Sequence, residues 1–325
     1  MKYLVNNCTD ACRNMAFDEF ALESLPLDEP VFFLWRNAPS VIVGLNQSVY
    51  AEVNLDYLKE KGIVLARRVT GGGAVYHDLQ NLNYTIVGKS RDLDADYPDY
   101  LHFIVNALRR LGVPAELSGR NDIMVEGRKC SGYAKRVWKD RLMVHGTLMF
   151  DVDIENLVSA LAVPGSKMDA KGIASVRSKV ANLKDYLPDI PDILSLRSAL
   201  QTMLAGDDAE VVLTPQQLAE IDRMADEKFR SWDWIYGRSP DARFKASGKF
   251  PCGTVEAGWS VRHGRLEDVN FGGDFIGNLP ADGIAASLNG LRYSREEVLA
   301  ALENSAIPVS ACFDGLSAKE LSELF

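Results

Sequence analysis

Three consecutive glycines follow a pair of arginines in the run Arg67-Arg68-Val69-Thr70-Gly71-Gly72-Gly73-Ala74-Val75-Tyr76-His77-Asp78. An apolar strand pattern (Ile63, Val64, Leu65) leads into it, and an apolar-polar alternation resumes at Ala74, Val75 and Tyr76. Glycine gives up more backbone entropy on folding than any other residue, and a plain hairpin turn needs only one or two of them. A loop of this kind lets backbone N–H groups approach a ligand with no side chain in the way. The guanidinium groups beside it predict an anionic ligand, a phosphate or a carboxylate. The run is not a P-loop, since no Gly-Lys-Ser/Thr follows, and Tyr76 prevents it from completing a GxGxxG. The plainer alternative is a glycine-rich hairpin with solvated arginines.

Composition narrows the setting of that loop. At 325 residues the chain exceeds the usual single-domain size, so one large and one small domain are expected. A hydrophobic content of 47% with 25% charged residues is ordinary for a globular enzyme. A net charge of −9 argues against general nucleic-acid binding, though not against a local basic site. The cysteines (Cys8, Cys12, Cys130, Cys252, Cys312) are scattered with no CxxC, which fits reduced thiols rather than a disulfide framework. The histidines (His77, His102, His145, His263) never fall into a zinc spacing. The N-terminal stretch turns polar too early for a secretory signal, and no apolar run reaches the ~18 residues of a membrane span. A cytoplasmic chain with no membrane or nucleic-acid partner is expected.

Along the chain, Asp10 caps a helix carrying Cys12, Met15, Ala16 and Phe20 at helical spacing. Residues 31–35 and 41–43 read as strands. A helix opened by Asn54 stops at Gly62, a C′ glycine. Residues 63–69 and 74–78 read as strands flanking the glycine loop, and 82–87 as another. A helix over about 98–111 ends at Gly112. A β-rich block follows at 123–126, 129–137 and 142–150, joined by turns at Glu126-Gly127 and Trp138-Lys139-Asp140. Helices return at 154–161, 193–204 and 214–230, the last with Thr214 as cap and Pro215 at N1. Helices and strands mix without a βαβα rhythm, so the fold class is α+β with a mixed or antiparallel sheet. Residues 231–250 read as a connection. Beyond residue 251 two strands (255–261 and 266–271) and helices near 284–291 and 295–304 form a small α+β domain.

Other segments carry chemistry. Residues 119–136 include Arg120, Asn121, Asp122, Arg128, Lys129, Lys135 and Arg136, a basic segment in an acidic protein. In a strand pair, alternation puts Lys129, Ser131 and Tyr133 on one side and Arg128, Cys130 and Gly132 on the other. An ammonium projecting from a strand into a water-poor cleft is a good point charge for a phosphoryl or carboxyl oxygen. An ordinary hydrated hairpin is the alternative. His145 sits amid apolar alternation in Val144-His145-Gly146-Thr147-Leu148, where a satisfied core histidine is the simpler reading. Residues 167–183 carry Lys167, Lys171, Arg177 and Lys179 with Gly172 as a possible hinge, either a loop closing over an anion or a solvated basic segment.

These segments, in this order, resemble the lipoate-protein ligase A family, whose catalytic domain is similar to that of biotin protein ligases. The resemblance rests on Arg67–Asp78, Gly119–Asp122, Lys129–Gly132 and Lys171–Leu183. The Gly-Arg-Gly-Arg-type loop of the biotin branch is not found here. The resemblance implies a catalytic domain over 1–240 and an accessory domain over 251–325. It implies a two-step reaction: lipoate attacks the α-phosphate of ATP to give lipoyl-AMP, and an acceptor lysine then takes the lipoyl group and releases AMP. By position it makes Lys129 the catalytic residue, touching both lipoyl carbonyl and phosphate. Arg68, the backbone of Gly73, Ala74, Val75 and Tyr76, Asn121 and Asp122 fall on the nucleotide side, with Asp122 as the Mg²⁺ ligand. Gly72, Arg136, His77 and His145 fall on the lipoate side, and residues 167–183 close over the adenylate. Implied acceptors are the apo lipoyl domains of 2-oxoacid dehydrogenase E2 subunits and the glycine-cleavage H protein, served by a monomer. Two rival readings are an ATP-independent octanoyl or lipoyl transferase of the same fold, which needs a reactive cysteine, and a non-catalytic lipoate-binding protein.

Overall fold

The computed structural model describes residues 1–90, 96–118, 122–161, 170–205 and 210–325. The chain divides into two compact units, Met1–Ser231 and Trp232–Phe325.

The first unit opens with β1 (Lys2–Leu4) and α1 (Ala11–Glu23), then β2 (Val31–Trp35) and β3 (Ser40–Val43). Short helices α2 (Val49–Glu52) and α3 (Leu55–Lys61) lead to β4 (Val64–Arg67), β5 (Val75–His77) and β6 (Asn81–Lys89). After α4 (Asp96–Arg110) come β7 (Ala115–Ser118), β8 (Asp122–Val125), β9 (Arg128–Trp138) and β10 (Arg141–Met149). Helices α5 (Ile154–Ala160), α6 (Ala170–Arg177) and α7 (Ile193–Ala205), strand β11 (Glu210–Val211) and α8 (Pro215–Met224) complete it. The local signals act as their chemistry requires. The Asp10 carboxylate accepts from the Arg13 N–H at the start of α1, and Gly62 closes α3 with φ 63°. Thr214 and Gln217 form a reciprocal capping box at α8.

Eight strands form one mixed sheet in the order β11-β1-β2-β6-β10-β9-β8-β7. β1 runs parallel to β2 and β11, and the remaining pairs are antiparallel. A smaller sheet has β3 at its centre, parallel to β4 and antiparallel to β5. The strands on either side of the glycine loop therefore do not pair with each other as a hairpin; each pairs with β3.

Strand alternation sorts the large sheet into two chemically different faces. Leu82, Tyr84 and Ile86 of β6, with Leu142, Val144 and Leu148 of β10, join the core against α4 and α7 through Ile104, Leu108, Leu196 and Leu200. The intervening positions (Asn83 and Thr85 on β6, His145 and Thr147 on β10) belong to the opposite face, toward α1 and the glycine loop. Phe17 of α1 packs on Phe33 of β2 at 4.9 Å on that face. So this face is covered and yet carries polar groups, and each of them needs a partner.

A β-bulge in β9 resets the alternation there. Ile123 pairs with Ser131 but Met124 pairs with Lys129, leaving Cys130 as the extra residue. Strict alternation set Lys129 with Tyr133 and against Gly132. The bulge instead brings Lys129, Gly132 and Ala134 to one cavity, which Tyr133 also reaches, while Cys130 packs in the core.

Two other local expectations change. Part of residues 167–183, read as a loop, is the helix α6, and the backbone beyond it pairs with β9. The Lys129 N–H donates to the Lys179 carbonyl and the Ala181 N–H to the Lys129 carbonyl, both at 2.9 Å. Lys167 lies outside the described residues. Residues 231–250, read as a connection, contain strand β12 (Ala242–Phe250). It was missed because its apolar positions alternate with Arg243, Lys245 and Lys249 and include Gly248.

The second unit is a meander of β12, β13 (Gly253–Arg262) and β14 (Arg265–Phe275), followed by α9 (Asp282–Leu288), α10 (Arg295–Glu303), α11 (Val309–Cys312) and α12 (Ala318–Ser322). Its core is aromatic. Trp259 lies 4.6 Å from Phe325 and 5.8 Å from Phe244 and Tyr293, and Phe271 lies 5.2 Å from Phe313. No helix among the described residues is long and apolar enough to cross a membrane.

Candidate active site

In the first unit a cavity of about 110 Å³ opens between the polar-bearing face of the large sheet and the small sheet with its glycine loop. Met15, Trp35, Ile42 and Val75 give it an apolar side; Gly72, Gly73 and Ala74 form one wall; Lys129 with Gly132 and Ala134 forms another. His77, Asn83, His145 and Thr147 also line it.

The arginine pair is built into the protein. Arg67 is fully buried and donates from Nη1 to the carbonyls of Gly44 (2.8 Å), Leu45 (3.3 Å) and Gln47 (2.7 Å). Arg68 lines the cavity, but its guanidinium braces the loop: Nη2 donates to the carbonyls of Gly71 and Gly73 at 2.7 and 2.8 Å, and Nη1 to that of Ile42 at 3.1 Å. Burial pushes its guanidinium down to about 10, still charged at neutral pH. The loop carbonyls are thus held by a cation.

The three glycines have different reasons to be glycine. Gly72 sits at φ +92°, and a Cβ there would meet Arg68 Nη2 at 2.9 Å. Its carbonyl oxygen would lie 2.1 Å from a Cβ on Gly44, so that position is closed as well. Gly71 and Gly73 lack a positive φ, and a Cβ on either meets nothing within 4 Å. The protein's own packing therefore requires glycine at Gly72 and not at Gly71 or Gly73, which leaves open space beside both.

A buried polar relay ties this loop to the sheet. The Trp35 indole N–H donates to Thr85 Oγ1 (3.0 Å), and Thr85 donates to Asp18 Oδ1 (2.8 Å). Asp18 Oδ2 lies 2.7 Å from His145 Nδ1, and His145 Nε2 lies 2.7 Å from Thr70 Oγ1. Thr70 Oγ1 also accepts from Arg68 Nε at 3.0 Å, which joins the relay to the guanidinium that braces the loop. Asp18 is 1% exposed, and removing any member would leave a buried polar group unpaired.

Lys129 Nζ lies 2.7 Å from Asp122 Oδ1 with its side chain 40% exposed, an ammonium held by one carboxylate at the mouth of an apolar cavity. The structure therefore brings Lys129, Arg68, Gly72, Gly73, Ala74, Val75, His77 and His145 together, with Asp122 beside Lys129. Tyr76 is buried between the lining residues Val75 and His77 and does not itself line the cavity. Asn121 lies outside the described residues. Arg136 stands apart: it pairs with Glu23 (3.2 Å) and Glu19 (3.5 Å) and lies over the Trp138 ring. Lys228 Nζ holds both Glu19 oxygens at 2.7 Å. The sequence reading did not find Met15, Trp35, Asn83, Thr147 or the relay through Asp18. The available signal was polar residues at alternate positions of an otherwise apolar strand (Asn81, Asn83, Thr85) and an acidic pair in the apolar run Met15–Phe20.

No described residues form a cluster of three or more metal-ligating side chains. Cys130 is fully buried, donates from Sγ to the Ile123 carbonyl, and is pushed by burial up to about 12, so it is inert as a nucleophile.

Residues 10–205 match the lipoyl protein ligase A/B catalytic domain, and residues 239–325 match the bacterial lipoate protein ligase C-terminus. The chain is 39% identical over 303 residues to lipoate-protein ligase LplJ of Bacillus subtilis, covering 91% of this chain and 92% of that protein. Among solved structures, the bi-partite lipoate protein ligase of Thermoplasma acidophilum, studied with its E2 lipoyl domain, superposes with TM-score 0.67 at 32% identity. That superposition covers 74% of this chain and 97% of that one. A lipoate-protein ligase A bound with ATP superposes with TM-score 0.64 at 31% identity, over 73% of this chain and 98% of that one. The chain belongs to the lipoyl protein ligase A/B family and carries that family's bacterial C-terminal domain.

Proposed function

We propose that this chain is an ATP-dependent lipoate–protein ligase. It activates lipoate as lipoyl-AMP and transfers the lipoyl group to a lysine of an acceptor lipoyl domain. The observation that carries this reading is the convergence of the Lys129 ammonium with a glycine wall on an apolar cavity. Relatives with 36–39% identity bear the name lipoate-protein ligase, and the ATP-bound neighbour supports the nucleotide.

The chemistry follows from where charge develops. In the first step a carboxylate oxygen attacks the α-phosphate and pyrophosphate leaves; in the second a lysine amine attacks the acyl carbonyl and AMP leaves. Both build negative charge on oxygens, and a fixed donor lowers the barrier only if it meets that charge. Lys129 is that donor in both steps, and its pairing with Asp122 holds the ammonium in place. The backbone along Gly73, Ala74, Val75 and Tyr76, braced by Arg68, supports the nucleotide phosphates with Asn121 and Asp122. Gly72, His77 and His145 lie against the acyl chain in the apolar part of the cavity; Arg136, bound by Glu19 and Glu23, supports α1 and acts only at a distance.

A lone carboxylate fits Mg²⁺, which takes one or two protein carboxylates and fills its remaining positions with phosphate and water oxygens. Asp122 would hold it, and the ion supplies neutralisation of phosphate charge. The backbone hydrogen bonds that tie Lys179 and Ala181 to Lys129 support a role for the 167–183 segment in covering the adenylate.

The first unit is the catalytic domain and the second an accessory domain. Acceptors are lipoyl domains of 2-oxoacid dehydrogenase E2 subunits and the glycine-cleavage H protein, served by a monomer in the cytoplasm, where the five cysteines remain thiols. The inert Cys130 gives no support to an acyl-enzyme transferase. Lipoate-dependent ATP–pyrophosphate exchange tests the reading; exchange is expected, and its absence with folded protein would overturn it.

A further inference from the structure

Two hydrogen-bond donors on the cavity wall are buried without a partner among the described residues. His77 is 3% exposed and Asn83 is 1% exposed, and both line the cavity. Among the described residues neither His77 Nε2 nor Asn83 Nδ2 has a partner. Buried donors in native proteins are nearly always paired, so two on one cavity wall point to a ligand.

The surroundings fix both groups as donors. Asn14 Nδ2 donates to Asn37 Oδ1 at 2.8 Å, which leaves the Asn37 amide nitrogen to donate to His77 Nδ1 at 3.1 Å. With Nδ1 accepting, the imidazole proton lies on Nε2. Burial, with Arg68 and His145 nearby, lowers the imidazole to about 3, so a second proton does not add to it. On β6, Asn81 Nδ2 donates to Asn83 Oδ1 at 2.9 Å, which leaves the Asn83 amide nitrogen as the unpaired end. The two residues come together around Trp35. Asn83 is its direct cross-strand partner, and the His77 ring stands edge-on to it at 6.1 Å between centroids. Trp35, whose own N–H is spent on Thr85, supplies the apolar surface between them.

An all-hydrocarbon chain filling this part of the cavity would seal both N–H groups from water without a partner. A tail with an acceptor atom would not. We propose that His77 Nε2–H and Asn83 Nδ2–H form a donor pair that selects an acyl tail bearing a hydrogen-bond acceptor, here a sulfur of the dithiolane ring. The inference rests on the ligase reading and adds the residues that determine its acyl specificity. Each donor left unpaired against a methylene lowers affinity by about tenfold.

The probe is 5-cyclopentylpentanoate, which has the shape of lipoate with methylenes in place of both sulfurs. Burial of apolar area alone favours the carbocycle, so a preference for lipoate reports the acceptor. ATP–pyrophosphate exchange with the full chain is expected to give kcat/KM about tenfold or more in favour of lipoate. Asn83→Leu should reduce that ratio by about tenfold, and His77→Phe should reduce it likewise. Calorimetric binding of both acids to the unsubstituted protein without nucleotide should show the same preference, and needs neither a variant nor catalysis. Equal kcat/KM for the two acids, or a ratio unmoved by both substitutions, overturns the donor pair while leaving the ligase reading intact. No exchange with either acid, but a retained tenfold preference in binding, would overturn the ligase reading and support the donor pair.

Discussion

At the scale of single residues, Lys129 and His77 have opposite electrostatic settings. The Lys129 ammonium is partly solvated and paired, and its side chain is spare to the fold. Lys129→Ala is expected to lower lipoate-dependent ATP–pyrophosphate exchange by about 10²–10³-fold with little change in melting temperature. Near-normal exchange would remove Lys129 from its role. His77 is buried and held neutral, well below its ordinary value of 6.5. Between about pH 6.5 and 3 the unfolded chain binds a proton that the folded chain refuses, so stability falls as pH falls through that window. Thermal melts from pH 7 to pH 4 should lose less stability in His77→Gln than in the unsubstituted protein; identical slopes would contradict the burial argument. The basic cluster around Lys129 stands out in an acidic chain, but charge alone also fits a hydrated hairpin, and it is the family resemblance that singles out Lys129 within it. Asn83 and Asp18 were not legible, because their value comes from what faces them, and composition does not record facing. Arg67 was misleading for the same reason: a guanidinium beside glycines suggests an anion, and only the fold shows three backbone carbonyls already occupying it.

Elements behave as their local rules dictate, except where one residue changes a strand's phase. Caps, C′ glycines and most strands could be read directly, since those signals are local. The bulge at Cys130 could not, because it arises from the pairing of β9 with β8, and it decides which of its neighbours share the cavity with Lys129. The glycine loop gives a contrast in variants. Gly72→Ala imposes a positive φ and crowds Arg68, and should cost about 1–3 kcal/mol of stability. Gly73→Ala has room in the fold and should leave the denaturation midpoint nearly unchanged while raising the KM for ATP. If Gly73→Ala destabilises as much as Gly72→Ala with an unchanged KM, the close approach lies elsewhere.

The whole molecule is two separately cored units, and the distinction predicts how it divides. A chain ending at Ser231 keeps the complete eight-stranded sheet and the cavity, so it should unfold cooperatively in urea. If the second unit serves closure during activation, this chain should lose about tenfold or more in exchange and much less in transfer from preformed lipoyl-AMP. Equal losses in both steps would assign the second unit another role. The α+β class was legible from element order; strand order was not, because β1, β2 and β11 pair over separations that no local pattern encodes.

The most direct measurement is to incubate the full chain with ATP, Mg²⁺, lipoate and an apo lipoyl domain, and to weigh the acceptor. An ATP-dependent gain of one lipoyl group on a single lysine, with AMP and pyrophosphate released, is the predicted result. An unmodified acceptor, or one modified equally well without ATP, would contradict it.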